Sequence, residues 1–264
     1  MLINIIKAII RSIREEWNLA IKNILLPSYC IRCDERILTE DNIYYCPRCW
    51  STLTYTERPY CSICGIQHPI AIGFGTRSNF PCADCRKNPN KYIESIQSPL
   101  QYKELAREAI ILFKYHREKG LIKPFGEILR NWAKEEMSNM KFDLIIPVPL
   151  HPLRLKRRGF NQSFLLAQEI VTCFPEAEIS QALIRTKPTH SQSTLSTQER
   201  KENIKNAFEI KEPEKIKQKR ILLIDDLVTS GATVTECAKT LKKHGALTVN
   251  VLSLARAHPK EFPY

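Results

Sequence analysis

The sequence predicts an α/β protein: a mostly parallel, doubly wound sheet preceded by a small cysteine-rich domain. Three observations carry that prediction. Short apolar runs recur at residues 142–148, 221–224 and 248–255, as strands buried on both faces require. Stretches with apolar residues three and four apart separate them, so helices alternate with strands and the sheet is expected to be parallel. Eight of the ten cysteines fall in four Cys-x-x-Cys pairs, all before residue 86.

The 264 residues have room for one large domain and a small one, and a hydrophobic content of 43% is ordinary for a folded chain. Lys and Arg total 40 against 28 Asp and Glu, a net charge of +12 that suits a polyanionic substrate or partner. Residues 1–26 are apolar at Leu2, Ile3, Ile5, Ile6, Ile9 and Ile10, but Lys7, Arg11, Arg14, Glu15 and Glu16 interrupt them. That stretch is too charged and too short to span a membrane. Its apolar positions continue through Ile13, Trp17, Ile21 and Ile24 at helical spacing, so an amphipathic helix is expected, packed on its own protein or on a partner, with lying on a membrane surface as the alternative. No secretory signal is evident, and a cytoplasmic protein is expected.

Residues 27–90 form the cysteine module. Cys30 and Cys33 precede Cys46 and Cys49; Cys61 and Cys64 precede Cys82 and Cys85. Each Cys-x-x-Cys knuckle points two thiolates at one centre, and two knuckles complete a tetrahedral site. The segment has few periodic apolar residues, and zinc binding at roughly 10–16 kcal/mol per site would supply the stability that burial cannot. Two structural zinc ribbons are therefore expected, with an iron–sulfur cluster the competing use of four thiolates. Sequential pairing of knuckles is simpler than a cross-brace, though spacing leaves both open. A closed four-thiolate site has no open position, so no catalysis is assigned to the metal. Tyr44, Tyr45, Trp50, Tyr55, Tyr60 and Phe74 are read as a miniature core, with base stacking as the alternative.

Residues 91–264 make the large domain. A strand is expected over 95–102, helices over 104–113 and 121–137, and a strand over 142–148 with Pro147 and Pro149 at its exit. His116 reads as a solvated helix end. Residues 151–162 carry Arg154, Lys156, Arg157 and Arg158 between prolines and Gly159, and read as a mobile cationic loop at the ligand-binding edge of a sheet. Such a loop could neutralise a leaving pyrophosphate. A helix starts at Asn161. Residues 184–208 are polar, with a short helix capped by Ser196, and read as a substrate-covering loop; residues 209–219 read as a charged connector.

The chain is organised around residues 221–241. An apolar strand ends in Asp225 and Asp226; Thr229, Ser230, Gly231, Ala232 and Thr233 make a small hydroxylated turn; Val234, Cys237, Ala238 and Leu241 then recur at helical spacing up to Gly245. Unpaired N–H groups at the helix start suit a phosphate, and the two acids suit sugar hydroxyls. A ribose 5-phosphate satisfies both. A simple helix cap would need one acid, not two, and no run of hydroxyls.

This stretch resembles the phosphoribosylpyrophosphate (PRPP) motif of type I phosphoribosyltransferases, with Ser230 where a second threonine is usual. The resemblance implies that Asp225 and Asp226 hold the ribose hydroxyls and that residues 229–233 wrap the 5′-phosphate. Together with the paired ribbons, Pro147-Val148-Pro149-Leu150-His151, Arg157-Arg158-Gly159-Phe160-Asn161-Gln162, Arg185-Thr186, Gln192, Glu199-Arg200, Asn203 and Ala207-Phe208, it is similar to the ComF family over residues 30–256. That resemblance implies a phosphoribosyltransferase fold binding PRPP with Mg²⁺, and a part in handling single-stranded DNA during natural transformation. Asp225, Asp226, Arg157 and Arg158 become the expected catalytic residues, with Arg154, Lys156, Gly159 and Asn161 completing a pyrophosphate loop. The alternative is a non-catalytic nucleotide- and DNA-binding module working with a competence helicase. Ammonia delivery from glutamine is not expected, because the chain starts Met1-Leu2 and every early cysteine sits in a metal pair.

Overall fold

The computed structural model describes residues 27–39, 42–68, 78–115, 119–188, 202 and 204–258. The amphipathic helix expected over 1–26, the short helix after Ser196, Phe74 and His116 lie outside the described residues. The chain divides between Thr52 and Leu53 into two compact units.

The first unit is a small ribbon. Strand β1 (Ser28–Tyr29) pairs antiparallel with β2 (Arg36–Ile37), and a one-turn helix α1 (Pro47–Trp50) follows Cys46. Its interior is Ile37 and Tyr45 with the cysteines, and Tyr45 stacks on Trp50 at 5.6 Å between ring centroids. Tyr45 is thus core rather than a base-stacking platform. So little apolar surface cannot hold a fold by burial alone.

The second unit starts with the other cysteine knuckles and α2 (Ala83–Lys87), then builds the sheet. Strands β3 (Ser95–Gln97) and β4 (Leu100–Gln101) lead into helices α3 (Glu104–Tyr115) and α4 (Ile122–Glu136). Strand β5 (Leu144–Pro147) is followed by α5 (Pro152–Arg158), α6 (Gln162–Ile170) and β6 (Glu178–Ile179). A hairpin-like pair, β7 (Leu183–Arg185) and β8 (Phe208–Ile210), precedes β9 (Arg220–Val228), α7 (Ala232–Lys243) and β10 (Thr248–Arg256).

The sheet order is β3-β10-β9-β5-β6, with β4 also on β10, and every pairing is parallel. Its central strands are apolar on both sides. Leu144, Ile146, Ile221, Leu223, Val249 and Val251 pack against Val234, Cys237, Ala238 and Leu241 of α7. The alternate residues Ile145, Leu222, Ile224 and Leu252 point the other way and are completely buried. Both faces are covered, the doubly wound arrangement that the apolar runs predict.

Four elements differ from the sequence reading. The strand expected over 95–102 breaks into β3 and β4 around Ser98, whose buried hydroxyl shares a 2.6 Å hydrogen bond with Ser253. Strand β9 does not end at the acids; it runs on to Val228 and includes both, because β10 continues to pair with it as far as Arg256. The cationic segment is not a mobile loop but helix α5. Pro152 opens it, the His151 side chain accepts from Leu153 N at 3.3 Å, and Gly159 closes it in the left-handed region at φ 85°. Finally, the described ends of the 184–208 stretch and the start of the 209–219 connector pair as β7 and β8, Leu183 opposite Ile210 and Arg185 opposite Phe208.

Candidate functional site

Strands β5 and β9 are neighbours, yet the chain leaves them in opposite directions: β5 leads outward to β6, whereas β9 leads to β10 on its other side. Parallel sheets open a crevice at the carboxyl ends of such strands. A cavity of about 470 Å³ lies there, lined from β9 by Asp225, Asp226 and Leu227 and from the exit of β5 by Val148 to His151.

Beyond Val228 the chain turns through Thr229 and Ser230 to Gly231, at φ 79° with open space where a Cβ would stand, so the glycine is there for its backbone conformation. Helix α7 begins at Ala232, and the turn with the first residues of α7 encloses a small concavity beside Asp225. The first N–H groups of α7 have no helical acceptors and carry the positive end of its dipole. An anion is the natural occupant.

The two acids differ. Asp225 accepts from Ser163 Oγ at 3.2 Å and from Asp226 N at 2.9 Å. Burial, with the neighbouring Asp226 carboxylate, pushes its carboxyl up to about 7. Asp226 instead meets the Lys114 ammonium, 2.8 Å from its Oδ1. Burial alone would push Lys114 down, but the Asp226 pair offsets it and holds the ammonium above its ordinary range.

Arginines form the opposite wall. Arg154, Arg157 and Arg158 project from α5, and Arg185 from β7. The Arg158 guanidinium lies 5.1 Å from the Tyr115 ring centroid and donates to Gln162 Oε1 at 3.2 Å. Arg185 is only 6% exposed and lies over Phe208; burial, with Arg154 nearby, pushes its guanidinium down to about 10. Five cations thus face two carboxylates in one cavity, a field that favours a polyanion.

Of the residues singled out from sequence, Asp225, Asp226, Arg154, Arg157, Arg158 and Thr233 line the main cavity, and Thr229 to Ala232 line the adjoining concavity. Lys156, Gly159 and Asn161 do not line it. Lys156 is exposed, Gly159 caps α5, and Asn161 caps α6 by accepting from Ser163 N at 3.1 Å while donating to Val148 O at 3.1 Å. Lys114 and Ser163 join the site without standing in any of the sequence motifs. Lys114 had a signal: it stands four residues after Ile110 on the apolar face of α3, where a lone charge calls for a buried partner.

The cysteines form two separate groups, Cys30, Cys33, Cys46 and Cys49 in the first unit and Cys61, Cys64, Cys82 and Cys85 in the second. The pairing is sequential, and within each group the sulfurs lie within 4.8 Å of one another. Cys33 and Cys46 Sγ are 3.6 Å apart, and Cys64 and Cys82 Sγ 3.9 Å. Zinc–sulfur bonds of about 2.3 Å in a tetrahedron require roughly 3.8 Å. Knuckle amides also point at the sulfurs, with Cys82 N 3.2 Å and Cys64 N 3.4 Å from Cys61 Sγ. Both sets fit zinc.

Residues 21–86 match the double zinc ribbon domain and residues 157–263 the phosphoribosyl transferase domain. The DNA utilization protein YhgH of Shigella flexneri is 33% identical over 209 residues, covering 78% of this chain and 88% of that protein. The chain belongs to the ComF family. Competence protein F of Haemophilus influenzae is 28% identical over 237 residues, covering 86% of this chain and 90% of its own length. Among solved structures, a glutamine PRPP amidotransferase from B. subtilis has 16% identity and a TM-score of 0.38, over 55% of this chain and 30% of that one. The two matched domains take in the ribbons and the strands from β6 onward. Among the described residues no helix is long and apolar enough to cross a membrane.

Proposed function

We propose that the cavity binds PRPP and transfers its phosphoribosyl group to an acceptor, in the service of DNA utilization or natural competence. One observation carries this reading: two adjacent carboxylates, a helix-start turn and an arginine wall meet at the switch point between β5 and β9. Each part suits one part of PRPP. The turn of residues 229–233 would take the 5′-phosphate, Asp225 and Asp226 the ribose hydroxyls, and Arg154, Arg157, Arg158 and Arg185 the pyrophosphate. Lys114 would be freed from Asp226 as the sugar docks.

Magnesium fits this donor set, because Mg²⁺ is held by one or two carboxylates together with substrate phosphates. Asp225 and Asp226 would hold it, and it would supply positive charge against the pyrophosphate. The chain's own residues would do the rest. The arginines neutralise the departing pyrophosphate as C1 gains oxocarbenium character, and the carboxylates face the positive charge developing on the ribose.

The names of the relatives support a role in DNA uptake or use, with single-stranded DNA and a helicase as the partners to test; we place the protein in the cytoplasm. The deciding experiment is calorimetric titration with PRPP and Mg²⁺, followed by pyrophosphate detection with nucleobases, amines and DNA as acceptors. Saturable PRPP binding that disappears in Asp226→Ala supports the site. Pyrophosphate release with one acceptor class supports transfer, and binding without release under all of them would favour a non-catalytic sensor of PRPP.

A further inference from the structure

Strand β10 ends at Arg256, a residue that no part of the reaction above uses. Its side chain is 8% exposed and fully engaged. Nη1 donates to Val228 O at 2.9 Å and also to Thr229 O, the last residue of β9 and the first of the turn around the 5′-phosphate position. Nε donates in another direction, to the carbonyl oxygen of Cys64 at 3.0 Å. Cys64 belongs to the second cysteine set. One planar guanidinium therefore holds a zinc knuckle with one edge and the phosphate-binding turn with another.

The knuckle has little freedom on its other side. Ile96 N of β3 donates to Ile63 O at 2.8 Å. Gly65 follows at φ 71°, and a Cβ there would collide with the Ile96 carbonyl oxygen. Residues 63–65 are thus seated on the sheet backbone. A displacement of Cys64 would be passed through Arg256 to the carbonyls of Val228 and Thr229. Those carbonyls set the orientation of the peptide groups leading into α7.

We propose that Arg256 is a positioning residue that couples zinc occupancy at Cys61, Cys64, Cys82 and Cys85 to anion binding at residues 229–233. The second ribbon is then a support of the catalytic loop, and loss of its metal loosens the grip on a sugar phosphate. Coupling of this kind is reciprocal, so a bound sugar phosphate also slows departure of that zinc. This inference rests on the phosphoribosyl reading of the turn. The first cysteine set, in the other compact unit, serves as an internal reference.

The test uses the intact protein with zinc at both sites and ribose 5-phosphate as the probe. Zinc release to a chromogenic chelator is followed with and without the probe, and a Cys46→Ser variant identifies the phase of the first site. Saturating ribose 5-phosphate should slow the second-site phase several-fold and leave the first unchanged. Arg256→Lys keeps the charge but loses the fork and should keep only part of that slowing; Arg256→Met should lose it. Should Arg256→Met fail to fold, Arg256→Lys decides. Equal release rates with and without the probe, in protein that binds ribose 5-phosphate by calorimetry, would overturn the coupling. So would full slowing in a folded Arg256→Lys. Absence of any ribose 5-phosphate binding would overturn the site reading itself, and this inference with it.

Discussion

The Lys114 ammonium lies 2.8 Å from the Asp226 carboxylate, joining helix α3 to the acidic pair within β9 inside the cavity. Both side chains are largely shielded, with side-chain exposures of 16% and 10%. Removing one member of a shielded pair strands the other, at roughly 3 kcal/mol or more. Lys114→Met is therefore expected to lower stability by about that amount in urea denaturation. It also removes a positive field that holds the Asp225 carboxyl down, so the acidic limb of any pH profile should move to higher pH.

Burial pushes the Asp225 carboxyl up to about 7, so the proposed PRPP binding is expected to depend on pH. Its folded value lies above the unfolded one, so the folded state holds the extra proton and stability declines as pH rises from about 4 towards 7. On the proposed reading Asp225 serves the ribose hydroxyls as a carboxylate, so affinity should run the opposite way, rising between pH 6 and 8. Asp225→Asn should flatten the stability profile, gain roughly 1–3 kcal/mol at neutral pH, and lose PRPP binding. Thermal melts and calorimetry across that pH range check both halves; a flat affinity profile in the unaltered protein would contradict the argument.

Arg157 and Arg158 line the cavity, whereas the neighbouring Lys156 does not. A charged hydrogen bond is worth about 1.5–3 kcal/mol, so Arg157→Ala and Arg158→Ala should each weaken PRPP binding roughly 10- to 100-fold. Lys156→Ala should change it less than about threefold, through screened long-range charge alone. Three dissociation constants at one salt concentration suffice. Equal losses at all three positions would point to bulk charge rather than a shaped wall.

Metal removal is expected to act on folding before function. Each four-cysteine site is worth roughly 10–16 kcal/mol to its ribbon. Elemental analysis should find two zinc ions per chain and no iron, and the visible spectrum should lack charge-transfer bands near 400 nm. Cys46→Ser should abolish one zinc and expose the first ribbon to protease while the sheet keeps its melting transition. Loss of the whole fold with that substitution would count against two separate units.

Much of this architecture was legible in sequence because buried parallel strands are written as unbroken apolar runs. The runs at 142–148, 221–224 and 248–255 became β5, β9 and β10, and the acids beside the glycine turn lie where an α/β sheet binds ligands. Helix α5 was missed because its residues carry charge rather than an apolar stripe, although Pro152 and Gly159 are start and stop signals. Pairing of β7 with β8 had no local signature, since the partners lie more than twenty residues apart in sequence. Lys114 and Arg256 act through contacts distant in sequence: one reaches Asp226, and the other joins Cys64 to Val228. Spacing rules cannot foresee such contacts.

Arg157 and Arg158 stand three and four residues after Arg154 on the short helix α5 rather than on an irregular loop. Their charges are already gathered before any ligand arrives, so a diphosphate meets a finished clamp with little ordering left to do. On the proposed reading, a clamp gathered in advance is expected to slow the departure of pyrophosphate, which a pre-steady-state burst in pyrophosphate detection would reveal.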